Sequence, residues 1–101
     1  MKLIFSSVFE TDFASGVEYL AREADEKIAS QWEISVYQTI ELLQKNPKLG
    51  RIRRDLQPAD IRTFGVKHFP RFLIFYTVRG NELVMLRVKH GAMNLHALFG
   101  T

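Results

Sequence analysis

The sequence predicts a small α+β domain in which two helices pack on one face of an antiparallel sheet. Two segments with helical spacing of apolar residues occur early in the chain, and three apolar, strand-like segments follow them. A shorter apolar segment precedes the helices. The predicted order is therefore β-α-α-β-β-β, an arrangement typical of an α+β fold. The 101 residues are enough for one domain with its own core, spanning 1–101.

The chain is expected to start with a short strand at Lys2–Ser6, followed by the first helix. Ser7 and Glu10 have the spacing of a capping box, so we expect Ser7 to be the N-cap. This helix should end near Glu23. Its apolar residues recur at helical spacing: Phe9, Phe13, Val17 and Leu20.

A second helix is expected to begin near Asp25. It should end at Asn46, because Pro47 disfavours a helical conformation in the residue before it. One apolar stripe runs along this helix and is predicted to face the sheet: Ile28, Trp32, Val36, Ile40 and Leu43.

The second half of the chain contains the remaining strands. No regular element is indicated in 49–60, which is polar and basic, whereas 61–67 alternates like a strand. The dipeptide 69–70, Phe-Pro, is expected to break that strand. A β-hairpin should follow at 71–90, and the tail 91–101 is predicted to form one short helical turn.

The turn of this hairpin decides which of its residues share a face, since a slip of one residue moves every side chain to the other face. A two-residue Gly80-Asn81 loop would place charges opposite the apolar row, so we expect a three-residue loop, Arg79–Asn81. The uncharged face would then pack on the helices: Phe72, Ile74, Tyr76, Val78, Val84, Leu86 and Val88. The opposite face would combine apolar and basic residues: Leu73, Phe75, Leu83 and Met85 with Arg71, Arg87 and Lys89.

This opposite face is predicted to be a protein-binding site. Two helices can cover only one side of such a sheet, and an apolar patch rimmed by positive charge is typical of an interface. Two alternatives would also cover the face: the C-terminal tail could fold back over it, or two copies could associate there.

Charge and composition narrow the class of protein. Residues 1–46 carry four basic and eight acidic side chains, whereas 47–101 carry ten basic and three acidic. The second half therefore suits phosphates or an acidic protein partner. The absence of cysteine fits a cytoplasmic protein, and no stretch is apolar enough for a membrane span. No metal site is expected, because the three histidines are far apart and lack a carboxylate cluster: His68, His90 and His96.

Several segments together resemble the ParE toxins of the RelE/ParE superfamily, which includes plasmid stabilisation proteins. The resemblance rests on the ordered set LLQKNPKLGR, IRTFGV, FLIFYTV and RVKHGAMNLHAL, and it covers nearly the whole chain. It implies the toxin of a type II toxin-antitoxin system, neutralised by a cognate antitoxin. ParE-type members poison DNA gyrase without performing chemistry, use no cofactor, and would contact DNA only through the antitoxin.

The superfamily also contains RelE-type enzymes, which cleave messenger RNA on the ribosome. By resemblance, such an activity here would use basic side chains: Arg62, Arg71, Arg87, Lys89 and His90. However, other residue types occupy positions where those enzymes have basic or tyrosine side chains: Phe64, Leu73, Gly91 and Ala97. The ParE-type activity is therefore favoured. An mRNA endonuclease and a non-toxic member that only binds its antitoxin remain the alternatives.

Histidine 90 has two interpretations. As a group that titrates near neutrality beside Lys89 and Arg71, His90 could act as a general acid or base. Alternatively, it could hydrogen bond to the tail at the end of the last strand. The second interpretation is preferred.

Overall fold

A computed structural model describes residues 1–92, Ala97 and Phe99. The chain forms seven elements: β1 (Lys2–Phe5), α1 (Ser7–Glu23), α2 (Glu26–Lys45), β2 (Arg51–Ile52), β3 (Arg62–Val66), β4 (Phe69–Arg79) and β5 (Glu82–His90). This order confirms the predicted α+β fold and adds β2 to a segment where no element was expected. The helical turn predicted for the tail depends on Leu95 and Leu98, which lie outside the described residues.

Both helices begin at side-chain caps. Ser6, not Ser7, is the N-cap of α1: its extended backbone leaves its Oγ to accept a hydrogen bond from the Phe9 N–H at 3.0 Å. The same hydroxyl donates to the Leu86 carbonyl at 2.9 Å, so the cap also joins α1 to β5. Asp25 caps α2, accepting from the Ile28 N–H at 2.7 Å, and this confirms the predicted start of the helix near Asp25.

The five strands form one sheet in the order β1-β5-β4-β3-β2. Strand β1 is parallel to β5, and the other neighbouring pairs are antiparallel. The two helices carry the chain from β1 at one edge of the sheet to β2 at the other, and strands β2 to β5 then return in sequence until β5 lies beside β1. Contrary to prediction, Phe69 and Pro70 begin β4, because the chain turns at 67–68, where His68 adopts a φ of 66°.

The hairpin has a two-residue loop, so the predicted three-residue loop is wrong. Arg79 pairs with Glu82 across Gly80-Asn81, and Gly80 has a φ of 59°, which suits this tight turn. A β-bulge then places an extra residue in β5, between the partners of Tyr76 and Phe75. Beyond the bulge, Ile74 pairs with Val88 instead of Arg87. The bulge, rather than a longer loop, keeps the charges away from the apolar row.

This register changes which residues of β5 face the helices. Leu83 and Met85 are fully buried in the main core, so their predicted place on the opposite face is wrong. Val84 and Leu86, predicted for the helix-facing row, lie outside this core. The α2 stripe is confirmed from Trp32 to Leu43, whereas Ile28 is only partly buried and lies outside this core. The buried residues of the main core come from both helices and three strands: Phe9, Trp32, Val36, Ile40, Leu43, Val66, Ile74, Tyr76, Leu83, Met85 and Val88.

The opposite face of the sheet is covered by the chain itself, which corrects the prediction of an open apolar face. Leu56 and Ile61, from the segment between β2 and β3, form a second buried cluster with Phe75, and all three have no exposed surface. Phe99 of the tail also packs there, with its ring 5.1 Å from that of Phe75. The alternative in which the tail folds back is therefore confirmed for Phe99. Among the described residues, no helix is long and apolar enough to cross a membrane.

Candidate functional site

Two basic residues of β5 form ion pairs with one buried carboxylate of α1. The Arg87 Nε and Nη2 donate to the two Asp12 oxygens at 2.8 Å each, and the Lys89 Nζ lies 3.4 Å from Asp12 Oδ1. The Val88 N–H also donates to Asp12, at 3.3 Å. Hydrogen bonding to Asp12 raises the pKa of Arg87, against an opposing effect of desolvation. Arg87 and Lys89 therefore connect β5 to α1 through Asp12.

The end of β1 explains why this ion pair lies where it does. Strand β1 pairs with β5 only up to Phe5 and Met85. Beyond that point α1 replaces the strand along the edge of β5. The Ser6 hydroxyl then donates to the Leu86 carbonyl, and the Asp12 carboxylate accepts from the Val88 N–H. A longer β1 would have paired with these backbone groups at the edge of β5.

Arg62 fixes the segment that leaves α2. Its Nη1 donates to the carbonyls of Gly50 at 2.8 Å and Lys48 at 3.2 Å. The Tyr76 hydroxyl donates to the Pro47 carbonyl at 2.7 Å and accepts from the Gly50 N–H at 2.8 Å. A Cβ on residue 50 would lie 2.5 Å from this hydroxyl, so the contact requires glycine. Arg62 therefore binds backbone carbonyls on the helix-facing side of the sheet.

We expect Tyr76→Phe to lower the free energy of unfolding by about 1–3 kcal/mol, because it leaves the Gly50 N–H and the Pro47 carbonyl unpaired. Burial raises the pKa of Tyr76 above its ordinary value of 10.0. The folded state therefore holds the phenolic proton more tightly. The stability that this difference in pKa contributes is fully present below pH 10.0, the pKa of an ordinary tyrosine. It is lost as the pH rises above 10.0 and through the higher pKa of Tyr76 in the folded state.

Urea unfolding between neutral pH and pH 10.5, a value about half a unit above an ordinary tyrosine pKa, measures both effects. Wild type should lose more stability than Tyr76→Phe over this range. Tyr37→Phe is a matched control, since Tyr37 is 55% exposed. Equal stability of wild type and Tyr76→Phe at neutral pH would contradict the role assigned to the hydroxyl.

Arg71 and His90 lie near the far end of the hairpin. Arg71 is exposed, and its carbonyl accepts from the Gly91 N–H at 2.7 Å. The His90 Nδ1 accepts from the Ala92 N–H at 3.1 Å, which confirms the hydrogen bond to the segment after β5. The His90 ring also contacts the Phe72 ring edge to face, with centroids 5.3 Å apart.

The five basic residues named for an endonuclease have different partners in different parts of the fold. Arg62 binds the segment after α2, whereas Arg87 and Lys89 bind Asp12. Strand β4 separates Arg62 from Arg87, which places their backbones ~10 Å apart. The described contacts therefore hold Arg62 and Arg87 in structural roles, whereas Arg71 is exposed and Lys89 makes a longer ion pair.

Sequence reasoning missed Asp12, the residue that organises this region. A weak signal was available, because Asp12 lies beside Phe13 in a helix whose apolar stripe also includes Phe9. A carboxylate next to such a stripe is placed to meet a cation at the edge of the core. The distant partner, Arg87, could not be chosen from the other basic residues without the fold.

Comparison with known proteins identifies the family. A family model described as the ParE toxin of the type II toxin-antitoxin system, parDE, matches residues 3–95. This chain belongs to the ParE toxin family. A curated ParE relative, Toxin ParE3 of Caulobacter vibrioides, is 38% identical over 74 residues, which cover 73% of this chain and 70% of the relative. The resemblance inferred from the sequence is therefore confirmed.

Solved structures show that the ParE-family chain shares its fold with other toxins. The chromosomal ParDE system from P. aeruginosa gives a TM-score of 0.75 at 18% identity, covering 89% of this chain and 95% of the other. A YoeB/ParE toxin from Agrobacterium tumefaciens gives a TM-score of 0.60 at 15% identity, covering 89% and 98%. At these identities the comparisons support the fold alone.

Proposed function

We propose that this ParE-family toxin inhibits DNA gyrase and is neutralised by a cognate antitoxin. Membership of the family supports the toxin role, and the observation that carries the choice of mechanism is the engagement of the basic side chains. Arg87 is held by two hydrogen bonds to Asp12, and Arg62 is held by two backbone carbonyls.

This engagement favours a toxin that acts by binding. Cleavage of RNA requires a base for the 2′-hydroxyl proton, cations for the phosphate, and a proton donor for the leaving oxygen. The two hydrogen bonds from Arg87 to Asp12 use two of the five guanidinium N–H donors and pair its charge with a buried carboxylate, which weakens its attraction for a phosphate. The His90 Nδ1 accepts from the Ala92 N–H, so this nitrogen is not free to take up the 2′-hydroxyl proton. The mRNA endonuclease is therefore the second candidate.

The antitoxin contact predicted from the sequence stays a prediction, and its residues now take different roles. Phe75, Leu83 and Met85 are fully buried and so would not contact a partner directly, and Arg87 and Lys89 are paired with Asp12. Arg71 is exposed and Leu73 is partly exposed at a shallow cleft of about 370 Å³. We propose that an acidic antitoxin segment binds at this end of the hairpin through Arg71. Attraction between the Arg71 charge and the acidic segment would increase the association rate.

The purified toxin should block gyrase supercoiling, with cleaved DNA accumulating, and should leave ribosome-bound messenger RNA intact. The cognate antitoxin should restore supercoiling. Arg71→Glu should slow association with the antitoxin about tenfold at low salt and less at high salt, because the affected term is electrostatic. Arg54→Glu, at another exposed arginine, is the matched control.

Two results would count against this proposal. Cleavage of ribosome-bound message at low toxin concentration, with normal supercoiling, would favour the endonuclease. Equal association rates for wild type and Arg71→Glu would show that the antitoxin does not bind at this end of the hairpin. The gyrase proposal would not be affected by that result.

A further inference from the structure

A cleft of about 530 Å³ lies between α1 and the end of β5. It is separate from the shallow cleft at Arg71, although His90 and Ala92 contribute to both. Its wall combines aromatic rings with positively charged side chains, a mixture that neither the core nor the gyrase proposal requires.

Aromatic rings form one side of this cleft. Trp32 and Phe72 make an edge contact with centroids 5.2 Å apart, and Phe72 makes a similar contact with His90 at 5.3 Å. Gly16 allows the indole to approach α1, since a Cβ on residue 16 would lie 2.5 Å from Trp32 Cη2. Tyr19, half exposed, adds a fourth ring to the lining.

The cleft also carries an excess of positive charge. Asp12 carries one negative charge and accepts two hydrogen bonds from Arg87, while the Lys89 Nζ lies 3.4 Å from the same carboxylate. Two positive charges therefore share one negative charge. Arg22 lies on the Tyr19 side, with its guanidinium 6.0 Å from the ring centroid. Its ion pair with Glu23 is long, at 3.6 Å, and exposed, which leaves Arg22 able to bind another anion.

Two hydrogen-bond donors of the lining have capacity left within the described part of the chain. The Trp32 Nε1–H makes no hydrogen bond there, and because the indole has no exposed surface this N–H lies just beneath the cleft. The neutral His90 ring uses Nδ1 as an acceptor, so its proton is on Nε2, which can donate. Aromatic surface, two cations whose ion pairs are long, and the His90 Nε2–H donor together suit a ligand with a flat ring and an acidic group.

We propose that this cleft binds a small aromatic anion. The planar ring would contact Tyr19 and Phe72, while a phosphate or carboxylate would bind Lys89 and Arg22. The volume is sufficient for a ligand of the size of a nucleoside monophosphate.

The chain has a single tryptophan, so Trp32 reports directly on the cleft. We would titrate 15N-labelled full-length protein with adenosine monophosphate and, separately, with 3-phenylpropionate, following the indole N–H resonance. The two probes distinguish a phosphate from a carboxylate ligand. Adenosine and inorganic phosphate test whether the ring and the charge are both required. At least one of the two aromatic anions should shift the resonance at millimolar concentration, and each half-ligand should bind at least about tenfold more weakly.

Lys89→Met should weaken binding of that anion at least about tenfold, whereas Lys48→Met, at an exposed lysine elsewhere, should not change it. Tyr19→Ala provides a second variant at a half-exposed position in case Lys89→Met fails to fold. The proposal is overturned if neither anion shifts the indole resonance, or if well-folded variants at 19 and 89 bind like wild type. These measurements use binding alone, so their outcome is independent of whether the toxin inhibits gyrase.

Discussion

Replacement of Trp32 by alanine is expected to lower the free energy of unfolding by about 3–5 kcal/mol. The indole has no exposed surface and contacts Phe13 and Phe72, with ring centroids 5.5 and 5.2 Å away. Gly16 leaves the space that the indole occupies. Alanine would therefore remove apolar contacts between α1, α2 and β4 and leave a cavity among them. A small domain has a total stability of about 5–15 kcal/mol, so this loss is a large fraction.

Urea unfolding followed by far-ultraviolet circular dichroism measures this loss without relying on tryptophan fluorescence. Ile34→Ala is a matched control on the same helix, because Ile34 is 55% exposed. It should change stability by less than about 1 kcal/mol. If the two variants lost similar amounts, Trp32 would not be the centre of the helix-sheet core.

Asp12→Ala should cost about 3 kcal/mol, at the lower end of the range for breaking a buried ion pair. The change leaves Arg87 without its carboxylate and the Val88 N–H without its acceptor. The Arg87 side chain keeps 19% exposure, which allows some rehydration and limits the loss.

A double-mutant cycle separates the ion pair from the general effect of truncation. Arg87→Met in the Asp12→Ala background removes the unpaired cation, so it should restore at least about 1 kcal/mol. Arg54→Met, at an exposed arginine, should restore nothing in the same background. Additive effects of the changes at 12 and 87 would show that these two residues do not stabilise each other.

The helices could be predicted because their signals are local. The α2 stripe repeats over four turns, and its ends are marked by Asp25 and by Asn46-Pro47. The error at the start of α1 has a simple cause: Ser6 and Ser7 are adjacent and both suit an N-cap. The structure selects Ser6 because its hydroxyl also bonds to the Leu86 carbonyl, a contact that local sequence cannot show.

The hairpin register could not be deduced because a β-bulge leaves little trace in this sequence. Leu86 is the extra residue of the bulge, and because it is apolar the sequence pattern is compatible with its place on either face of the sheet. In the structure it packs against the second cluster. Gly80-Asn81 correctly indicated the turn. The choice of loop length then assumed an unbroken ladder, and that assumption put Leu83 and Met85 on the wrong face.

The cover over the opposite face was missed for a different reason. Residues 53–61 supply only two buried apolar side chains, Leu56 and Ile61, and these have no helical or strand period. Asp60 holds the end of this segment to β4, through the Thr77 hydroxyl at 3.1 Å and Arg79 at 3.3 Å. Such anchoring depends on residues that are distant in sequence, so only the fold reveals it.

The parallel pairing of β1 with β5 has a consequence for synthesis. Lys2 lies beside Glu82, and Phe5 beside Met85, so β1 has as its neighbour a strand that is translated 80 residues later. Contacts of such long sequence separation also slow folding. A nascent chain interrupted before β5 has neither the partner of β1 nor the arginine that pairs with Asp12. A chain interrupted before β5 therefore lacks two sets of contacts that this fold uses to hold β1 and α1.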